Sequence, residues 1–415
     1  MKTVLFVAYG GGHIKMLLPV AQRLRESGIA QPRILALTTA AVLAREAGFQ
    51  PLGFADFVTP EDASALEIGG VLASDLPPSD VSKEESIAYL GLSFMSLVSE
   101  VGEAEAQRRY TAIGRQCFEP VSIFRRILSK LRPDVLVTTN SPRAEKAAVL
   151  AAAQLAIPAI CVVDLFAMDE IAWLGRPGYA NKICVLHPSV RDRLIQAGRA
   201  PHEVVATGNP AFDGINTEKV LGASQRIREE QHWNHREIVL YASQPEPLHH
   251  PSVPGQTGDP TLPARIQEAL EHWARKATNR LLVIRKHPSE SNPIQPSEHP
   301  TAVDGAVIHN GRQFELHPLL HAVDLVVTMN STVGLEACIA GRPVIQVLGS
   351  LFDASVPLAQ FGLAHACTAT PNLGDQIDTI LSSQRHRAGH TTNLGLIPMT
   401  DATQFVLDVV KEFIA

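Results

Sequence analysis

Short apolar runs alternate with longer stretches of helical periodicity along most of the chain, the pattern produced by stacked strand–helix–strand units and parallel sheets. In the first half TVLFVA (3–8), RILALT (33–38), VLVTT (135–139), AICVV (159–163) and KICVL (182–186) read as strands. Between them, MLLPVAQRLRESG (16–28) sets Leu17, Val20, Ala21 and Leu24 on one face and ends at Gly28, the residue type best suited to the left-handed position after a helix. PRAEKAAVLAAAQLAIP (142–158) reads as a helix that stops before Pro158. After residue 210 the pattern restarts, with EIVLYAS (237–243), RLLVIRKHP (280–288), DLVVTM (324–329) and PVIQVL (343–348) as strands. GNPAFDGINTEK (208–219) has the turn chemistry of a linker, and the six prolines of SQPEPLHHPSVPGQTGDPTLP (243–263) predict a loop. The closing DATQFVLDVVKEFIA reads as a helix capped by Asp401, with Phe405, Val406, Val409, Val410 and Phe413 on its apolar face. The prediction is an α/β protein: two Rossmann-like domains, 1–210 and 211–400, facing a central cleft, and a C-terminal helix, 401–415, docking back.

Composition narrows the class. At 415 residues the chain exceeds what one core usually supports. With 45% hydrophobic residues, 19% charged residues and a net charge of −6, it matches ordinary globular proteins and gives no reason to expect a nucleic-acid partner. Cys117, Cys161, Cys184, Cys338 and Cys367 form no CxxC pair, so neither a disulfide framework nor a zinc site is expected, and a cytoplasmic location fits. The first ten residues read as a strand rather than a signal peptide, and no run of about 18 apolar residues predicts a membrane span. FEPVSIFRRILSKLRP (118–133) lays Phe118, Val121, Phe124, Ile127, Leu128 and Leu131 beside Arg125, Arg126, Lys130 and Arg132. Such a helix either packs against a core or rests peripherally on the inner face of a membrane.

The chemistry starts at YGGGHIKM (9–16), which falls in the first strand-to-helix turn, where parallel sheets bind ligands. The spacing is not GxGxxG and no acid ends RILALT, so a dinucleotide site is not supported. Gly11 and Gly12 allow close approach of a ligand, and His13 at a helix start is a candidate general base near neutral pH. The plainer reading is a histidine that only bonds a loop. In DLVVTMNSTVGLEACIAGRPVI (324–345), Asn330, Ser331 and Thr332 follow a strand directly and can cap the next helix, offer amides and hydroxyls to a phosphate, or both; Glu336 is placed for a ribose diol. Arg285 and His287 in VIRKHPSE can neutralise a diphosphate, while alternation turns Lys286 away. His317 and His321 read as structural. His249 and His250 lack a second pair of ligands, so no metal is assigned.

These motifs resemble a known group. The strand–turn–helix with Ser331, Gly334, Glu336 and GRPVI resembles the nucleotide-diphosphate site of GT-B glycosyltransferases and of the hydrolysing UDP-N-acetylglucosamine 2-epimerases, and NSTVGLEA is similar to capsule-polysaccharide transferases. VVATGNPAFD (204–213) resembles the end of the first domain in that fold, and the opening GGGH segment resembles inverting transferases, where such a histidine is proposed to deprotonate the acceptor. The resemblance implies a metal-independent glycosyltransferase. It would move a sugar from a nucleotide-diphospho-sugar to a carbohydrate, lipid-linked or small-molecule hydroxyl in cell-surface polysaccharide or glycoconjugate synthesis. His13 would be the base and Ser243 would stand in the pyrophosphate loop, with the nucleotide sugar as substrate and no cofactor. The resembled epimerases carry carboxylates after the fourth strand and in a His-Val-Glu-type turn. Here Asn140 stands in TTNSPRAE, and VVDLFAMDE offers Asp164, Asp169 or Glu170 instead. The alternatives are therefore a hydrolysing nucleotide-sugar 2-epimerase and a non-catalytic nucleotide-sugar-binding protein.

Overall fold

The computed structural model describes residues 1–77, 79–250, 253, 255–287, 289–290, 306–385 and 401–414. Pro251, Ser252 and Pro254 of the proline-rich loop, Pro288 at the end of one strand candidate, and the tail of the expected second domain, 386–400, lie outside the described residues.

Among the described residues two six-stranded sheets form, and every strand pairing is parallel. The first contains β1 (Lys2–Tyr9), β2 (Ala30–Leu37), β3 (Val135–Thr139), β4 (Ala159–Val162), β5 (Lys182–Val185) and β6 (Val204–Ala206), in the order β2-β1-β3-β4-β5-β6. The second contains β7 (Glu237–Ala242), β8 (Arg280–Arg285), β9 (Val307–Ile308), β10 (Leu325–Thr328), β11 (Val344–Val347) and β12 (His365–Cys367), in the order β12-β11-β10-β7-β8-β9. Strand order reverses between β1 and β3 in one sheet and between β7 and β10 in the other. Those reversals open the crevices that doubly wound sheets use for ligands. Every residue of β3, β4, β10 and β11 is buried, which is why these segments read as continuous apolar runs. The result is an α/β fold of the GT-B type.

The chain divides into two compact units, Met1–Ala211 joined by the C-terminal helix, and a second that begins at Phe212. In the first, the helix Gly11–Ser27 starts five residues earlier than the apolar pattern predicts, runs through Pro19, and ends at Gly28, whose φ is 66°. Gly10 is its N-cap, with φ 89°; this is the one glycine of the triplet whose backbone needs the freedom. Gly11 and Gly12 belong to the first turn.

The C-terminal helix Ala402–Lys411 is capped by Asp401, whose carboxylate accepts from the Gln404 amide at 3.0 Å and from Arg23 at 2.5 Å. Its buried residues are Ala402, Thr403, Val406, Leu407, Val409 and Val410, and Val406, Leu407, Val409 and Val410 share a core cluster with Leu17, Val20 and Leu24. Val406, Val409 and Val410 are buried as expected and Phe413 packs partly buried against the same core, whereas Phe405 is 46% exposed and Leu407 is buried instead. Between β2 and β3 the helices Ala63–Leu72, Lys83–Val101, Glu103–Ile113 and Val121–Leu131 are inserted. The last buries Phe124, Ile127 and Leu128 completely, so its apolar face is spent on packing and is not available to a membrane. Among the described residues no helix is long and apolar enough to cross one.

Candidate functional site

In the second unit a cavity of about 360 Å³ opens at the carboxyl ends of β7, β8 and β10. Ser243, Arg285, His287, Asn330, Ser331, Thr332 and Glu336 all line it, so the residues singled out in this half of the sequence come together. The turn after β10 is rigidly built. Ser331 Oγ accepts from the Val333 amide at 3.2 Å and caps the helix Thr332–Ile339. The Asn330 amide donates to Gln244 Oε1 at 3.1 Å, and its Nδ2 donates to Ser350 Oγ at 2.8 Å. Gly334 lets the helix lie close to the sheet: a Cβ there would stand 2.7 Å from Leu358 Cδ1 and 2.8 Å from Thr328 Cγ2.

Cations dominate the rim. Arg285 Nη1 donates to the carbonyls of Gly311 and Phe314, each at 3.0 Å, so part of its guanidinium holds the cavity wall. Burial, then repulsion from Arg312, pushes the Arg285 pKa below its usual value, with Glu336 opposing. Lys286 also lines the cavity, contrary to the alternation argument, because β8 ends at Arg285 and the side chain beyond it is free of the strand's period. Arg312, not foreseen in the sequence, is a further lining cation. Two carboxylates balance them. Glu290 accepts from Ser243 Oγ at 2.8 Å and from the His287 amide at 2.6 Å, which are donors of the kind a phosphate would use. Glu336 Oε2 lies 2.9 Å from His317 Nε2, so His317 contacts a candidate site residue rather than serving the core alone, while His321 Nε2 meets the Ile215 carbonyl at 2.9 Å.

The crevice of the first unit carries acids. Asn140 follows β3 and Asp164 follows β4, and they bond reciprocally: Asn140 Nδ2 donates to Asp164 Oδ1 at 3.0 Å, and the Asp164 amide donates to Asn140 Oδ1 at 3.1 Å. The Leu165 amide adds a 2.7 Å bond to Oδ1, and Asn209 Nδ2 donates to the Asp164 carbonyl at 2.7 Å. Among the described residues Asp164 Oδ2 has no hydrogen-bond partner. Asn140, which the sequence reading treats as a lost acid, is thus the residue that aligns the acid of the next strand. Burial pushes the Glu170 carboxyl above the ordinary range, and the charges of Asp164 and Asp169 add to that.

Glu145 is a functional candidate that sequence reasoning missed. It is wholly buried, and its Oε1 accepts from the Tyr9 amide at 2.6 Å and Thr139 Oγ1 at 3.2 Å. In the sequence it looks like an ordinary polar position of an alanine-rich helix. His13 stands on the first turn of the helix Gly11–Ser27. The Gly11 amide is taken by Thr39 Oγ1 at 2.9 Å, and nothing lies within 4 Å of a Cβ built on Gly12. A separate cavity of about 460 Å³ at the ends of β1 and β2 is lined by Tyr9, Gly10, Thr38 and Tyr89; neither His13 nor Asp164 lines it. Among the described residues no group of three or more His, Cys, Asp or Glu side chains is arranged to hold a metal ion.

A family model described as UDP-N-acetylglucosamine 2-epimerase matches residues 103–350, more than half of the chain. No curated protein sequence matches. Among solved structures, the UDP-GlcNAc 2-epimerase from Neisseria meningitidis bound to UDP-GlcNAc is 13% identical with a TM-score of 0.61, covering 99% of this chain and 100% of that one. The UDP-GlcNAc 2-epimerase from Methanocaldococcus jannaschii is 12% identical with a TM-score of 0.55, and covers 99% and 100%. MurG from Acinetobacter baumannii is 14% identical with a TM-score of 0.55, again with 99% and 100% coverage. At such identities the likeness is one of fold.

Proposed function

The chain belongs to the UDP-N-acetylglucosamine 2-epimerase family, and from that membership we propose that it binds a UDP-N-acetylhexosamine and inverts the carbon bearing the N-acetyl group. The family match over residues 103–350 carries this reading, since it spans Asp164, Glu170 and the strand β7. Glycosyl transfer, the reading that the sequence motifs favour, is compatible with the fold alone.

Inversion requires a base to take the proton from that carbon and an acid to return one on the other face. Asp164 is the base in this proposal: Oδ1 is pinned by Asn140 and the Leu165 amide, which leaves Oδ2 for the substrate. The acid sought at position 140 is supplied one strand further along. In the second unit Lys286 and Arg312 meet the diphosphate, helped by the amide end of the helix Thr332–Ile339. The diphosphate displaces Glu290 from Ser243 and His287, and Glu336, steadied by His317, takes the ribose hydroxyls. The nucleotide sugar is the substrate, and no cofactor takes part.

The test is incubation of the protein with UDP-N-acetylglucosamine without any acceptor, followed by NMR of the sugar. The expected product is inverted at the carbon bearing nitrogen. An unchanged sugar that is transferred once a hydroxyl acceptor is added would contradict the proposal.

A further inference from the structure

A chain of hydrogen bonds runs from a buried carboxylate to the cavity of the second unit, and donor chemistry fixes its direction atom by atom. Glu246 is 5% exposed, and Gly258 lies so close over it that a Cβ there would stand 2.5 Å from Oε1. Oε1 accepts from the Leu351 amide at 2.7 Å, and Oε2 accepts from Ser350 Oγ at 2.7 Å. A carboxylate has no hydrogen to give, so the single hydrogen of the Ser350 hydroxyl is committed to it. That oxygen can then only accept. It does so from the Phe352 amide at 3.1 Å and from Asn330 Nδ2 at 2.8 Å. The Asn330 side chain is thereby held with its nitrogen toward Ser350 and Oδ1 on the other branch. Gln244 is held in the same way: the Asn330 backbone N–H, which can only donate, meets Gln244 Oε1 at 3.1 Å and leaves Nε2 over.

Both residues line the cavity. Among the described residues neither Asn330 Oδ1 nor Gln244 Nε2 has a hydrogen-bond partner, and neither atom is sealed in the interior. At the ends of β10 and β7 the cavity thus presents one acceptor beside one donor, both uncharged. In the reading given above the diphosphate meets Lys286 and Arg312 and the ribose meets Glu336, so the part of the ligand left for this pair is the sugar.

We propose that Glu246 is a positioning residue which, through Ser350, turns Asn330 so that Oδ1 accepts from the amido N–H of the sugar, while Gln244 Nε2 donates to the neighbouring hydroxyl. The polarity matters because an amido N–H can only donate, whereas a hydroxyl can donate or accept. An acceptor at this point suits the N–H; a donor there would leave it unpaired. Naming the sugar's N–H as the ligand atom rests on the UDP-N-acetylhexosamine reading, and the direction of the chain does not.

Glu246→Gln replaces one oxygen by NH2 and should reverse the chain. The new amide keeps its oxygen on the Leu351 amide and donates its NH2 to Ser350, whose hydrogen then turns to Asn330. The Asn330 side-chain amide flips, and its NH2 faces the cavity. Two measurements read this. In NMR of the isotope-labelled full chain without ligand, the Asn330 side-chain NH2, assigned with Asn330→Ala, should show cross-peaks to the Ser350 β protons, and Glu246→Gln should lose them. In calorimetry, Glu246→Gln should weaken UDP-N-acetylglucosamine relative to UDP-glucose by about tenfold, the cost of a buried donor left unpaired, while the affinity for UDP stays as it was. Ser350→Ala, which cuts the chain without adding a polar group, should lower the same ratio and serves if Glu246→Gln does not fold. An unmoved ratio, or an equal loss for UDP and both nucleotide sugars, would overturn the proposal, as would cross-peaks that survive in Glu246→Gln. A shifted ratio in a protein that inverts no sugar would sink the epimerase reading alone, and inversion with an unmoved ratio would sink this inference alone.

Discussion

The two sheets reverse strand order in the same way but collect opposite chemistry where they do so. Asp164, Asp169, Glu170 and Glu145 gather around the β1–β3 reversal, whereas Arg285, Lys286, His287 and Arg312 gather beside β7 and β10. Burial acts on both sets by disfavouring charge: it pushes the Glu170 and Glu145 carboxyls up and the Arg285 guanidinium down. The consequences differ. A carboxyl pushed up holds its proton closer to neutral pH and becomes useful for acid–base work, while a crowded set of cations is relieved by binding an anion. One backbone design therefore supplies the place, and the sign of the side chains supplies the chemistry.

The strongest way to break this comparison is Asp164→Asn. The amide oxygen can still accept from Asn140 and the Leu165 amide, so the local structure should hold while turnover falls by about 10²–10⁴-fold. Calorimetry with UDP should show affinity unchanged; equal loss of binding and turnover would place Asp164 in nucleotide binding instead. Arg312→Ala should act in the opposite sense, weakening UDP by about 1.5–3 kcal/mol, the worth of a hydrogen bond to a charged group. Unaltered affinity would remove Arg312 from the phosphate site.

A smaller effect is expected from Gly334→Ala, since the new Cβ would meet Leu358 and Thr328 side-chain atoms at 2.7 and 2.8 Å. Overpacking of this kind costs about 1–3 kcal/mol, readable by denaturant unfolding. The smallest is Glu170→Gln, read through pH. A carboxyl whose folded pKa is raised contributes stability that is complete below its unfolded value, about 4.3, and is lost as pH climbs through the folded value. The stability difference between natural protein and variant should therefore shrink as pH rises over that range. A difference that grew with pH would mean that Glu170 is held as a carboxylate.

What the sequence disclosed follows from length and continuity of signal. Nine strands are legible because each is a run of at least four residues, with ends placed within three positions, from VLVTT, which matches Val135–Thr139, to RILALT against Ala30–Leu37. The three unread strands, β6, β9 and β12, have two or three residues and all lie at sheet edges, where too few positions exist to show a period. The inserted helices 63–113 were also not read. The cation-rich crevice is legible in part: Arg285 and His287 stand at the end of a strand, whereas strand alternation misdirects Lys286 and Arg312 follows no strand signal. The acid crevice was half legible: Asp164 stood out, but Asn140 looked like a loss until its bond to Asp164 was seen, and Glu145 gave no signal because its importance lies in a contact 136 positions away at Tyr9.

The central claim is that a proton leaves and returns at the carbon bearing the N-acetyl group, and exchange with solvent tests it most directly. The natural protein is incubated with UDP-N-acetylglucosamine in heavy water without acceptor, and the recovered sugar is weighed by mass spectrometry, with the labelled position located by NMR. The account predicts one deuterium on that carbon, and none when Asp164→Asn is used. A sugar recovered without deuterium from the natural protein, together with transfer to an added hydroxyl acceptor, would contradict it.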